Sequence, residues 1–175
     1  MPDDPMQEMQ QAFRELATPG PEHTLLARRL GAWDLTVRFY QSPGVLGFES
    51  KGISRYAWIH DGRALENHVV GDPAGRPFEG RGFSGFDTRQ RHYWFFWIDS
   101  SSTGVMRGAG KAAADGHGLE WDVESTEPVS RSIKRVRAVE RYLSLSEWMS
   151  QTFDVGADGR EFVRTEFRYL RRMDG

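Results

Sequence analysis

The chain has no cysteine, which removes disulfides, thiolate metal sites and cysteine nucleophiles together and agrees with a reducing compartment. Nor does it carry a surplus of either charge. Its 23 Lys and Arg against 25 Asp and Glu leave a formal net charge of −2, whereas partners such as nucleic acid or an acidic bilayer usually select a strong basic excess. Neither nucleic acid nor a membrane is therefore expected as a partner. No apolar run approaches the roughly 20 residues that a spanning helix needs, and Met1 to Glu15 is polar and acidic where a secretory signal would be apolar. A bacterial-type cytoplasm is the expected location. The five histidines (His23, His60, His68, His92 and His117) are scattered, without the H-x-H or H-E-x-x-H spacing of metal sites. No metal or cofactor is expected from them.

What the chain does have is aromatic residues, at 13%, arranged in short alternating runs. From Trp33 to Phe39, apolar Trp33, Leu35, Val37 and Phe39 alternate with Asp34, Thr36 and Arg38, the period of a strand with one buried face. Gly31, just before it, suits the positive φ that closes a helix. Further strand-like runs follow at Phe48 to His60, Arg63 to Gly71, Phe78 to Phe86, His92 to Asp99, Thr103 to Ala113, Leu119 to Glu124, Ser132 to Tyr142, Leu143 to Val155 and Phe162 to Leu170. Asp61-Gly62, Asp115-Gly116 and Asp158-Gly159 are hairpin signals between them. Upstream, Met6, Met9, Phe13 and Leu16 recur at helical spacing, and a second helix is predicted from Pro21 to Leu30. The expected fold is all-β, an antiparallel up-and-down barrel of about ten strands with short N-terminal helices, one of which plugs a mouth. Residues 1–18 read as a helical extension and 19–173 as the single barrel domain.

Several motifs fail their structural context. Gly80-Arg81-Gly82-Phe83-Ser84-Gly85 fits the dinucleotide fingerprint letter by letter, but that mechanism needs a strand-to-helix turn, and this stretch reads as strand. Its glycines instead suggest sharp coiling or a close backbone approach. Arg131, Lys134, Arg135, Arg137 and Arg141 make a basic strand, read as an outer face paired with Glu120, Asp122 and Glu124 rather than as an RNA surface.

Taken together, Pro19-Gly20-Pro21-Glu22-His23, Gly31-Ala32-Trp33-Asp34, Glu49-Ser50-Lys51-Gly52, Pro77-Phe78-Glu79-Gly80-Arg81-Gly82, Gly85-Phe86-Asp87 and Trp97-Ile98-Asp99-Ser100 resemble the uncharacterised bacterial family catalogued as domain of unknown function 1579, from about Pro19 to Arg172. The resemblance implies a calycin- or lipocalin-like barrel and no established activity. Where that family often has Tyr before the turn aspartate, this chain has Phe86. It also implies a barrel closure at Gly31 and Trp33, with Arg171 or Arg168 stacked on the indole. By analogy with haem-carrying barrels of this type, His68 is the nominee for an axial ligand.

If Trp33 faces inward, then Ser54, Tyr56 and Trp58 on the second strand, Asn67 on the third and Trp97 or Trp94 on the fifth line a cavity of apolar walls with few polar anchors, and Gly52, Gly80 and Gly82 leave room opposite. The function expected is binding of a small apolar or amphipathic ligand. One alternative is an enzyme acting through a buried carboxylate, Glu79 or Asp99; the residues leave catalysis open. Another is a protein that homodimerises through the aromatic strand Tyr93 to Trp97.

Overall fold

The computed structural model describes residues 5–127 and 129–173. Ten strands follow one another in chain order: β1 (Gly31–Ser42), β2 (Val45–Ile59), β3 (Ala64–Gly71), β4 (Phe78–Asp87), β5 (His92–Asp99), β6 (Met106–Ala112), β7 (Gly118–Thr126), β8 (Ile133–Tyr142), β9 (Glu147–Val155) and β10 (Glu161–Arg171). Each pairs antiparallel with its chain neighbours, and β1 pairs with β10, so the sheet closes into a barrel. Closure leaves no free sheet edge. The hairpin glycines take the left-handed conformation that their turns require, Gly62 at φ 84, Gly116 at φ 71 and Gly159 at φ 76. Pro128, in the turn expected at Glu127-Pro128, and the expected frayed start as far as Asp4 lie outside the described residues.

Cross-strand register fixes which side chains face the axis. Trp33 pairs with Ser54, Leu35 with Gly52 and Val37 with Ser50, and the same parity carries through Asn67, Gly82, Trp97, Met106, Val123, Val136, Thr152 and Thr165 around the ring. The core is concentrated toward one end of the barrel. There Trp33, Leu65, Leu119, Trp121 and Trp148 are each at most 2% exposed.

That end is stoppered by α2 (His23–Ala27), whose Leu26 is fully buried. The helix is shorter than the predicted Pro21 to Leu30. The N–H groups of Arg29 and Leu30 reach back only three residues, to the carbonyls of Leu26 (3.0 Å) and Ala27 (3.1 Å), which tightens the final turn and ends it. Tyr93 Oη donates to the Glu22 carbonyl at 3.0 Å and ties the start of α2 to β5. Gly31 then takes φ +102 to turn the chain into β1. The preceding helix, α1 (Pro5–Ala17), has the expected amphipathic pattern but buries none of its residues.

The glycine-rich β4 has a packing cause. A Cβ on Gly80 would lie 2.0 Å from Trp97 Cζ2, and one on Gly85, on the opposite face, 2.4 Å from Trp94 Cζ2. Large indoles of β5 lie flat across the small residues of β4, one inside and one outside. The room expected over Gly80 and Gly82 is thus filled by Trp97, which corrects the idea that these glycines open the cavity.

Candidate interior binding site

Between the plugged end and the opposite mouth lies a cavity of about 650 Å³. Leu35, Val37, Val69, Phe95, Val123 and Phe167 supply apolar wall, and three polar groups of side chains meet it at different heights.

The deepest group is the floor. Arg29 leaves the tightened turn of α2 and enters the barrel, held there because Trp33 Nε1 donates to its carbonyl at 2.6 Å. Its guanidinium forms an ion pair with Glu140 of β8, and its Nε donates to Tyr142 Oη at 3.0 Å. The other Glu140 oxygen accepts from Trp121 Nε1 at 3.0 Å. Arg29 is 4% exposed and Glu140 8%. Desolvation works against the charge on Arg29, but Glu140 and the surrounding phenols more than offset it, and the guanidinium stays cationic. Burial pushes the Glu140 carboxyl above its ordinary range, while Arg29 and the Trp121 N–H hold it back. The guanidinium cannot shed its proton, and its charge beside the carboxyl favours the ionised form of Glu140 against that desolvation.

Tyr56 and Tyr169 complete the floor. Tyr56 Oη is hydrogen-bonded to Tyr169 and Ser54, and burial pushes its phenol up to about 12. Burial likewise raises the Tyr142 and Tyr169 phenols. Trp148 stacks on Tyr169, with ring centres 3.6 Å apart and planes 2° from parallel. Among the described residues its Nε1 is the one buried side-chain polar atom with no hydrogen-bond partner.

Higher up, Ser54 Oγ donates to Asn67 Oδ1 at 2.9 Å, continuing the chain of hydroxyls from Tyr169 through Tyr56. At the mouth, Asp154 accepts from Lys134 Nζ (2.6 Å) and from Arg164 (2.9 Å), and Arg164 also donates to the carbonyls of Tyr40 and Gln41. Partial burial acts to raise the Asp154 pKa, but its bonds from Lys134, the Val155 N–H and Arg164 prevail and lower it. Trp97 Nε1 donates to Asp99 Oδ2 at 2.8 Å, while Asp99 Oδ1 accepts from the Ser101 N–H at 2.9 Å.

The sequence-nominated residues separate by height. Tyr56, Asn67 and Trp97 line the cavity. Ser54, fully buried, stands behind Asn67. Trp33 and Trp58 have the inward parity but lie toward the plugged end, packed in the core beneath the cavity. Arg171, the cross-strand partner of Trp33, sits 4.2 Å over its ring and donates to the Leu30 and Leu145 carbonyls, whereas Arg168 pairs with Glu147 on the outside.

Two nominations are corrected by strand parity. His68 faces outward and bonds Glu79 at 2.9 Å, so it has no route to an interior haem, and Glu79, equally outward, cannot act on a cavity-bound molecule. Asp99 does have inward parity, but both its oxygens are engaged in the hydrogen bonds to Trp97 and Ser101. The basic strand also divides. Arg135 pairs outward with Glu124 at 2.7 Å and Arg137 with Glu161, whereas Lys134 and Glu140 point in.

Sequence reasoning missed Arg29, Glu140, Tyr142, Trp148 and Tyr169. The signal for Glu140 was its parity with Val136, Ala138 and Tyr142. No local signal marks Arg29, which at the end of a short helix has the pattern of a solvated residue.

A family model matches residues 18–171. The chain belongs to DUF1579, described as a protein of unknown function. No curated protein matches the chain. Among solved structures, Rv2717c from M. tuberculosis is similar at 14% identity and a TM-score of 0.60, covering 89% of this chain and 100% of that one. A redesigned β-barrel aligns at 14% identity and a TM-score of 0.45 over 84% of this chain and 94% of its own. At such identities the Rv2717c match speaks to the fold. No helix among the described residues of this DUF1579 member is long and apolar enough to cross a membrane.

Proposed function

We propose that this barrel binds a small amphipathic molecule inside its hollow half. The observation that carries the reading is the 650 Å³ cavity, apolar in its walls and polar at its floor and mouth, a size and chemistry typical of small-ligand sites. The helical plug, the Gly31 entrance and Arg171 over Trp33 support a calycin-like plan for it. Acid–base catalysis is the weaker reading. Glu140 is the buried carboxylate of the cavity, but Arg29 and Trp121 already bond both its oxygens, and a carboxylate neutralised by an adjacent guanidinium is a weakened base.

The test is titration with a panel of environment-sensitive apolar dyes. Saturable binding is expected, and Val37→Trp, which adds bulk to the wall, should abolish it while the far-ultraviolet spectrum and cooperative melt persist. Absence of saturable binding across the panel, or equal binding by the filled variant, would refute the assignment.

A further inference from the structure

We infer that the cavity floor is a head-group subsite for an uncharged hydrogen-bond acceptor, such as a ketone, ester or amide carbonyl, with the Trp148 indole N–H as its donor. This rests on the ligand-binding reading above and specifies which end of the ligand goes in first.

The first support is the unpaired donor. Trp148 lines the cavity and is 2% exposed, and its Nε1 has no partner among the described residues. Buried donors are rarely left so, because an unmade hydrogen bond costs most of the group's desolvation. Trp148 is held fast, stacked on Tyr169 and edge-on to Trp33 at 6.2 Å and to Tyr56 at 5.8 Å. It cannot readily turn to find another acceptor.

The second support is the charge balance. Arg29 and Glu140 cancel, and Trp121 and Tyr142 take up further bonding positions of the pair. A carboxylate head would place an unpaired anion in this desolvated layer beside Glu140. The raised phenols of Tyr56, Tyr142 and Tyr169 report the same hostility to negative charge. The cationic groups that could favour an anion, Lys134 and Arg164, are at the mouth, already bonded to Asp154.

The experiment compares a straight-chain methyl ketone, the alkanoate and the alkane of equal length by calorimetry on the wild-type protein and on Trp148→Phe. The variant should weaken the ketone about five- to tenfold, the effect of one neutral hydrogen bond, and leave the alkane and alkanoate within about twofold. In the wild type, infrared spectroscopy of isotopically labelled ketone should show its carbonyl stretch moved to lower frequency than in alkane solvent. If Trp148→Phe does not fold, that stretch decides alone. An unshifted stretch, equal weakening of ketone and alkane, or weakening of the alkanoate as large as that of the ketone overturns the inference. Absence of binding by all three chains instead overturns the binding function itself.

Discussion

Replacing Glu140 with Gln isolates the charge of the floor from its shape. The amide keeps an oxygen for the Trp121 N–H but leaves the Arg29 guanidinium, 4% exposed, without a counterion. Breaking a buried ion pair from one side costs about 3–5 kcal/mol, because the surviving charge stays desolvated. For a chain of 175 residues, each kcal/mol corresponds to roughly 2–4 °C in melting temperature, so Glu140→Gln should melt about 6–20 °C below wild type. The double variant Arg29→Met with Glu140→Gln removes both charges and fills the guanidinium's place with an unbranched apolar chain. It should be more stable than Glu140→Gln alone, since no charge is then stranded. Urea unfolding followed by fluorescence and circular dichroism measures both differences. A single variant within about 1 kcal/mol of wild type, or a double variant less stable than the single, would refute the view that Arg29 and Glu140 are desolvated and mutually dependent.

Arg171→Ala should lower stability by about 1–3 kcal/mol, since it removes the cation 4.2 Å from Trp33 and two bonds to carbonyls at the seam. Arg171→Lys should recover only part, because an ammonium lacks the planar fork; full recovery in urea unfolding would contradict that geometry. Gly80→Ala should cost about 1–3 kcal/mol by overpacking and should shift Trp97 emission, because the added methyl falls on the indole; unchanged emission and stability would refute the packing. In alkaline titration, tyrosinate absorbance should show Tyr56, Tyr142 and Tyr169, three of the five tyrosines, still protonated above the ordinary phenol range of about 10. Their native pKa values are raised, so the stability they add is complete below the unfolded value of about 10 and is lost as pH rises through the native values, for Tyr56 about 12. Early ionisation of all five in the folded protein would contradict the buried floor.

Much of the ring was legible because its rules are local. Asp-Gly pairs mark hairpins, and alternation from Trp33 to Phe39 or along Phe48 to Trp58 tells inside from outside. Alternation says nothing, however, about height along the axis. Trp33 and Trp97 share a parity, yet one lies in the packed end and the other in the wall of the cavity. That height depends on the tilt and stagger of the closed sheet, which no single strand encodes. Arg29 was illegible for a related reason. Its ion-pair partner Glu140 is 111 residues away in the chain, and Trp33, though only four residues on, bonds the Arg29 carbonyl and not its side chain, so nothing nearby in the sequence reports where the guanidinium goes. Lys134 and Glu140 were obscured by composition, since a strand dense in arginine reads as uniformly outward until its two parities are separated.

Ten strands enclose more space than the eight whose side chains suffice to fill a small barrel. Of the six tryptophans, five have inward parity, and they are not spread evenly through that space. Trp33, Trp121 and Trp148 gather with tyrosines at the plugged end, Trp97 lies against β4, and the remainder stays hollow. A plug made only of apolar side chains would have packed more cheaply than one that buries an arginine and a glutamate. What the ionic floor adds is a fixed arrangement of indoles and phenols around Arg29 and Glu140, with one N–H left over. Stability given up in burying that pair is thus coupled to order in the part of the cavity where a ligand's polar end would be read.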